Sequence, residues 1–173
     1  MKKIVLLLVA VAAVTIIAAS TRPAPRQAKE EASPPFVTEI PAGYRDWTLI
    51  SVAHEEGNLH SFAAILGNDV AVKAYREAKL PFPDGAIIAA LHYSHVPSEE
   101  NNEVFGQAQS FIPGPRTNIQ FMVKDSAKYP ATGGWGFGHF KDGKPAEATF
   151  MKSCFPCHER IKTRDLVFTR YAP

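Results

Sequence analysis

The chain has 173 residues, of which 46% are hydrophobic and 21% charged, so its composition is that of one ordinary globular domain. The formal net charge is +2, and it falls to zero once Lys2 and Lys3 are removed with the leader described next. A neutral remainder argues against nucleic acid as a partner, because nucleic-acid-binding domains carry a basic surface.

The first twenty residues are predicted to be a secretory signal peptide. Lys2 and Lys3 supply its positive start, residues 4–19 are an uncharged apolar run, and Ala18-Ala19-Ser20 offers small residues for cleavage. The run is shorter than the roughly 20 residues of a membrane-spanning helix. We therefore expect export to the periplasm, with an uncleaved N-terminal anchor as the alternative.

Residues 21–35 are rich in proline, alanine and charge and poor in bulky apolar side chains, which predicts an extended or disordered linker. The folded domain is predicted to span residues 36–173. Its first strand is expected over residues 47–52, with a hairpin partner over 59–66. A helix then follows, capped by Asn68 or Asp69 and running to about Lys79.

The second half of the domain is predicted to be mostly strands. Residues 86–93 are apolar and suited to a strand, and residues 98–102 are predicted to be a polar loop. Clean alternation predicts strands at 118–124 and 135–140, and residues 145–157 are predicted to be a helix. Strands outnumber helices and hairpin connections dominate, so the expected fold is α+β, a mostly antiparallel sheet with flanking helices.

The strongest chemical signal is the motif Cys154-Phe155-Pro156-Cys157-His158, a C-x-x-C-H sequence typical of c-type haem attachment. Two thiols at this spacing can form thioethers with the two vinyl groups of one porphyrin, and His158 can then bind the iron. A thioredoxin-like site, a zinc site and a plain disulfide are the alternatives. The first lacks a βαβ frame, the second lacks a second ligand pair, and the third leaves His158 unexplained.

Several stretches in order along the chain resemble the cytochrome P-460 family, whose relatives include cytochrome c′-beta. They are YRDW at 44–47, GND at 67–69, PDG at 83–85, FMVKDS at 121–126, TGGWGF at 132–137, CFPCH at 154–158 and DLVFT at 165–169. The resemblance implies a mostly antiparallel fold that is often dimeric. It also implies one covalently attached haem c with His158 on one side of the iron and an open position on the other. A small diatomic or nitrogen-oxide ligand and a redox partner protein are the implied partners.

One position departs from the hydroxylamine-oxidising members of this family. The resemblance implies that those members crosslink a lysine to the porphyrin edge, five residues past the Asp-Gly turn. In this chain that position is Ala90, and no lysine occurs between Lys79 and Lys124. The crosslink therefore cannot form, which argues against hydroxylamine oxidation. Relatives of the cytochrome c′-beta kind lack the crosslink and bind nitric oxide in an apolar pocket.

Strand alternation indicates which residues near Ala90 share its face. Ile88 and His92 are expected on the same face, so His92 is a candidate for the distal side of the haem. A strand residue hydrogen-bonded elsewhere is the favoured interpretation of His92. Met122 is a candidate sixth ligand, although it shares an apparently polar face with Gln120 and Lys124, and methionine is commonly a core filler or partly exposed.

The remaining candidates have ordinary interpretations as well as functional ones. Surface roles are favoured for the histidines outside the motif and its surroundings, which are His54, His60, His95 and His139. Three aromatic residues are candidates for the haem wall, although core packing is the commoner role; they are Phe62, Trp135 and Phe137. Three arginines are candidate partners of the haem propionates: Arg116, Arg160 and Arg164.

Three functions follow from these observations. The favoured hypothesis is an exported mono-haem c-type cytochrome with five-coordinate iron that binds a small ligand such as nitric oxide. The second is an oxidoreductase acting on hydroxylamine or another nitrogen oxide, since a haem with an open position can carry some of that chemistry. The third is an electron-transfer cytochrome with six-coordinate iron, closed by Met122 or a histidine. Catalytic residues are not identified by the sequence.

Overall fold

The computed structural model describes residues 34–172. The predicted signal peptide, its alternative as an anchor, and residues 21–33 of the predicted linker lie outside the described residues. Within them, no helix is both long and apolar enough to span a membrane.

A six-stranded antiparallel sheet forms the centre of the domain, and its strands are hydrogen-bonded in chain order. The strands are β1 (Thr48–Glu55), β2 (Ser61–Gly67), β3 (Ile87–Pro97), β4 (Phe111–Lys124), β5 (Trp135–Lys141) and β6 (Lys144–Pro145). The β1–β2 and β5–β6 connections are short hairpins, whereas the β2–β3 and β3–β4 connections are longer and each contain a helix. The α+β fold expected from the sequence is confirmed.

Among residues 34–172, four α-helices flank the sheet: α1 (Asp69–Arg76), α2 (Glu99–Phe105), α3 (Ala148–Met151) and α4 (Cys154–His158). Asn68 caps α1, because its side-chain oxygen accepts a hydrogen bond from the Ala71 amide at 3.0 Å. The same oxygen accepts from the Ile87 amide at 3.0 Å, which ties the start of α1 to the start of β3. The predicted Asn68 cap is therefore also a tertiary contact.

Two local predictions were wrong. Residues 98–102, predicted as a polar loop, begin helix α2, whose first turn is capped by the Ser98 hydroxyl accepting from the Asn101 amide. The single helix predicted over residues 145–157 is broken into α3 and α4. The Ser153 hydroxyl donates to the Phe150 carbonyl at 2.7 Å, and Pro156 has no amide to continue the ladder, so the helix cannot run through.

The sheet presents two faces of different character. One, which we call the packed face, is a closed apolar cluster formed by Val37, Ala89, Leu91, Ile119, Phe121 and Phe140. The other, which we call the cavity face, carries Ala63, Ile65, Ile88, Ala90, His92, Met122 and Phe137. Strand register sets this division, because successive side chains point to opposite faces.

Candidate haem site

A cavity of about 440 Å³ lies between the cavity face and the C-terminal segment. Side chains of β1 to β5 form one wall, and residues of α4 and the chain after it form the other. The lining is mainly apolar, with a few polar groups, and the volume lies within the range of small-molecule and cofactor sites.

His158 lies in this cavity with its ring fixed by one hydrogen bond and two aromatic contacts. Its Nδ1–H donates to the Leu166 carbonyl at 2.7 Å, which leaves Nε2 as the nitrogen with a free lone pair. The rings of Phe137 and Phe168 each have their centroids 5.0 Å from that of His158. Burial lowers the pKa of His158, so the imidazole is held neutral, which is the form that binds a metal.

A buried ion pair holds the segment that carries the Leu166 carbonyl. Lys124 is only 5% exposed, and its Nζ lies 2.9 Å from both carboxylate oxygens of Asp165. The Phe82 amide donates to the same carboxylate at 2.8 Å. Asp165 and Leu166 both adopt left-handed backbone conformations, with φ of 51° and 66°. Lys124 therefore holds the turn that orients His158, a role that sequence reasoning missed because the partners are far apart in the chain.

The two cysteines of the motif lie on α4 in different surroundings. Cys154 is half-buried and lines the cavity, whereas Cys157 is exposed and lies outside the lining. Both thiols are free, so the disulfide alternative is not formed. The antiparallel sheet likewise provides no βαβ frame for a thioredoxin-like site. Burial raises the pKa of Cys154, and the neighbouring Cys157 raises it further.

These residues fit a c-type haem: an apolar cavity of suitable size holds a neutral imidazole and one thiol of a C-x-x-C-H motif. The family model for Cytochrome P460 matches residues 41–169. The chain belongs to the cytochrome P460 family. It is accordingly a c-type haem protein, with one covalently attached haem c and its iron as cofactor. Among curated proteins, none matches the chain significantly.

Within this cytochrome P460 fold, Ala90 faces the cavity as alternation along the strand predicts. Ile88 and His92, two residues away on either side, line the same cavity. No lysine is among the lining residues in the described part of the chain. Lys124 lies on the same face, but its ammonium group is bound to Asp165.

His92 is paired with Glu55 at the side of the cavity. His92 is 7% exposed, and its Nδ1 lies 3.2 Å from Oε2 of Glu55, which also accepts a hydrogen bond from the Ser61 hydroxyl at 3.0 Å. Burial lowers the pKa of His92, and Glu55 opposes that shift. His92 is thus both hydrogen-bonded and part of the cavity wall. Glu55 was not identified from the sequence, because β1 carries no motif that marks it.

Met122 is buried in the cavity wall, opposite Phe137 on β5. Met122 shares a face with Gln120 and Lys124, as alternation predicts, and it is a buried core residue, which is one of the two positions expected for it. The expectation that this face is polar was wrong. The C-terminal segment covers that face, so Gln120 and Met122 line the cavity between the two. Sequence alternation identified the face, and the covering segment made it an interior one.

The other candidates divide between core, cavity and surface. Phe137 lines the cavity, Trp135 is fully buried in the core, and Phe62 is outside the lining. None of the three candidate arginines lines the cavity: Arg116 and Arg160 are exposed, and Arg164 donates to the Phe168 carbonyl.

Three of the four histidines with predicted surface roles lie close together outside the cavity lining. His54, His60 and His95 cluster at one end of β1, β2 and β3, and His95 is buried, so a surface role was wrong for it. His139 instead packs against Phe150, with ring centroids 4.7 Å apart.

Proposed function

We propose that this protein is an exported mono-haem c-type cytochrome whose iron is five-coordinate and binds a small ligand, nitric oxide above all. The observation that carries this proposal is the alanine at position 90 in a wall that includes Ala63, Ile65 and Ile88. These four side chains are small or aliphatic, and none offers an amine for a crosslink to a porphyrin. The haem supplies an iron with one exchangeable position.

The apolar part of the wall, around Ala90, favours small ligands of low polarity. A ligand that enters such a wall must give up its hydrogen bonds to water, which costs little for a diatomic gas and much for an ion or a strongly polar molecule. The cavity would therefore discriminate between ligands by their charge and polarity. The resemblance to cytochrome c′-beta implies the same preference.

The resting optical and spin-resonance spectrum, repeated with nitric oxide, tests the coordination of the iron. We expect high-spin iron with His158 as its protein ligand and a new spectrum on adding the gas. A six-coordinate low-spin spectrum in the resting protein would support the electron-transfer alternative instead. Met122→Leu is then the informative variant, because it keeps an apolar side chain of similar size in the wall while removing the sulfur.

Digestion of the holo-protein followed by mass spectrometry tests the absence of a crosslink. We expect haem carrying only the peptide that contains Cys154, Cys157 and His158. A second peptide attached to the porphyrin, from any other part of the chain, would contradict the proposal while leaving the family membership intact.

Oxidation of hydroxylamine or another nitrogen oxide is the second candidate function, and the His92–Glu55 pair favours it. Such oxidation releases protons, and Ala90 can accept none. His92 engages Glu55 through Nδ1, so Nε2 is the ring nitrogen left to accept a proton from a substrate in the cavity. We expect slow or absent turnover with hydroxylamine and an electron acceptor. Rapid turnover that is lost in His92→Gln would favour this second function over the first.

Export is proposed from the leader-like N-terminus, and dimerisation and an electron-transfer partner are proposed from the family. We expect soluble periplasmic protein that starts after the Ala18-Ala19-Ser20 region. Full-length protein recovered only from membranes would show an anchor instead. Sedimentation of the purified holo-protein distinguishes a homodimer from a monomer.

A further inference from the structure

Three imidazoles and one carboxylate meet at the end of the β1–β2 hairpin, beside β3. His54 is near the end of β1, Glu56 follows that strand, His60 directly precedes β2, and His95 lies in β3. The ring centroids of His95 and His60 are 3.7 Å apart, and those of His95 and His54 are 4.8 Å apart. The cytochrome function proposed above uses none of these groups.

His95 is the buried centre of this cluster. It is 7% exposed, and its Nε2 lies 3.0 Å from Nδ1 of His60. Its other ring nitrogen, Nδ1, is buried and has no hydrogen-bond partner among the described residues. A buried polar atom without a partner is costly unless something binds it. When Nε2–H donates to His60, Nδ1 carries a free lone pair, which is the arrangement required of a metal-binding imidazole.

Two further ligands are in place around His95. One ligand atom from each of His54, Glu56 and His95 lies within 4.8 Å of the other two. Nε2 of His54 is 3.3 Å from a carboxylate oxygen of Glu56. Two ligand atoms of a tetrahedral zinc site are about 3.4 Å apart when each lies about 2.1 Å from the ion, so the observed separation is close to that of a zinc site. His54 and Glu56 are 44% and 74% exposed, so their side chains can close the remaining distance to His95.

We propose that His54, Glu56 and His95 bind a divalent transition-metal ion, with His60 fixing the orientation of His95. Two imidazoles and a carboxylate suit zinc, and also copper or nickel, better than they suit calcium or magnesium, which prefer oxygen ligands. Three protein ligands leave a fourth position for water or an exogenous ligand.

The donor types of the cluster are compatible with a cation at this position. An imidazole binds a metal ion in its neutral form and so adds no positive charge, and the carboxylate of Glu56 supplies negative charge on the exposed side.

Zinc binding by the untagged holo-protein tests the proposal, with haem iron as an internal standard. After equilibrium dialysis against Zn²⁺, elemental mass spectrometry gives the ratio of zinc to iron. We expect one zinc per iron in the wild type, with affinity reduced by more than about tenfold in His54→Ala and in Glu56→Gln. His95→Ala is expected to lose binding altogether.

Matched variants separate a metal site from a loss of folding. His139→Ala removes a histidine outside the cluster and is expected to bind zinc as the wild type does. Zn²⁺ should also raise the melting temperature of the wild type and of His139→Ala, but not that of His54→Ala, because only an ion bound to the folded state stabilises it. His54 and Glu56 are exposed, so their variants should fold even if His95→Ala does not.

Two results would overturn the proposal. One is a wild-type zinc-to-iron ratio no higher than that of His54→Ala. The other is unchanged affinity in both His54→Ala and Glu56→Gln, which would place any bound zinc elsewhere on the protein.

Discussion

Ala89 and Ala90 are neighbours in β3, yet they belong to two different environments. Ala89 is fully buried on the packed face, opposite Phe121. Ala90 is on the cavity face, opposite Ile65, and borders open volume. A single strand with alternating side chains therefore builds a solid core on one side and a binding site on the other.

The difference lies in what covers each face. The packed face is covered directly by apolar side chains of the N-terminal segment, namely Val37, Ile40, Tyr44 and Trp47. The cavity face is covered by the C-terminal segment, which reaches the core through Leu166 and Val167. Elsewhere along that face the segment leaves the cavity open. The Lys124–Asp165 ion pair fixes this segment, so a polar contact sets the shape of an otherwise apolar site.

Removal of His158 should break the function of the cavity face completely. We expect His158→Ala to lack a normal c-type absorption spectrum, because His158 is the imidazole of the C-x-x-C-H motif and its ring is fixed in the cavity by the bond to the Leu166 carbonyl. Phe140→Leu, on the packed face, should lower stability but keep the spectrum. An unchanged spectrum in His158→Ala would remove His158 as the iron ligand.

Lys124→Met should cause a large loss of stability by releasing the segment that covers the cavity face. It leaves the Asp165 carboxylate buried without its cation, which typically costs about 3–5 kcal/mol of unfolding free energy. Lys73→Met is the matched control, because Lys73 is exposed and its ion pair with Glu77 should contribute less than about 1 kcal/mol. Denaturant titration of both proteins measures the difference. Equal stability of the two variants would contradict the role assigned to Lys124.

The two adjacent alanines give a direct contrast between the faces. Ala89→Leu should lower the unfolding free energy by about 1–3 kcal/mol, because the packed face has no room for the added atoms. Its haem spectrum should stay unchanged.

Ala90→Leu should instead alter the binding of ligands. The added atoms enter the cavity, where even one methylene group changes affinity by about tenfold or more. Titration with nitric oxide and denaturant unfolding, applied to both variants, measure the two effects. If both variants changed only stability, the cavity would play no part in ligand binding.

The smallest effect concerns acid stability and the His92–Glu55 pair. Burial holds the pKa of His92 below its usual 6.5, so the unfolded chain takes up this proton more readily than the folded one. Above about pH 6.5, His92 is neutral in both the folded and the unfolded chain, and its contribution to the free energy of unfolding is complete. As the pH falls below about 6.5, that contribution is lost, by at most about 1.4 kcal/mol per pH unit.

His92→Gln should therefore lose less stability than the wild type between about pH 7.5 and about pH 5.5. Glu55→Gln should lose at least as much as the wild type, because it removes the charge that favours the protonated ring. Denaturant unfolding at the two pH values distinguishes these outcomes. Equal acid sensitivity of His92→Gln and the wild type would show that other groups, such as the nearby His139, dominate.

Short-range features of the chain were predictable from the sequence alone. The C-x-x-C-H motif depends on covalent spacing, the face shared by Ile88, Ala90 and His92 depends on strand alternation, and the cap of α1 depends on Asn68. Helix α2 was missed because its residues are polar and show no apolar period. Its capping residue Ser98, the two acidic residues that follow and Gly106 at its end were the available signal.

Only the tertiary structure decided which distant side chains became partners. Lys124 and Asp165, His92 and Glu55, and the cluster around His95 each join residues from different elements. No local pattern encodes such a pairing, because it depends on strand register and on which segment covers which face. Composition and alternation determine that a face is suitable for burial. The packing of the whole chain determines whether it closes into a core, as around Ala89, or remains a cavity, as around Ala90.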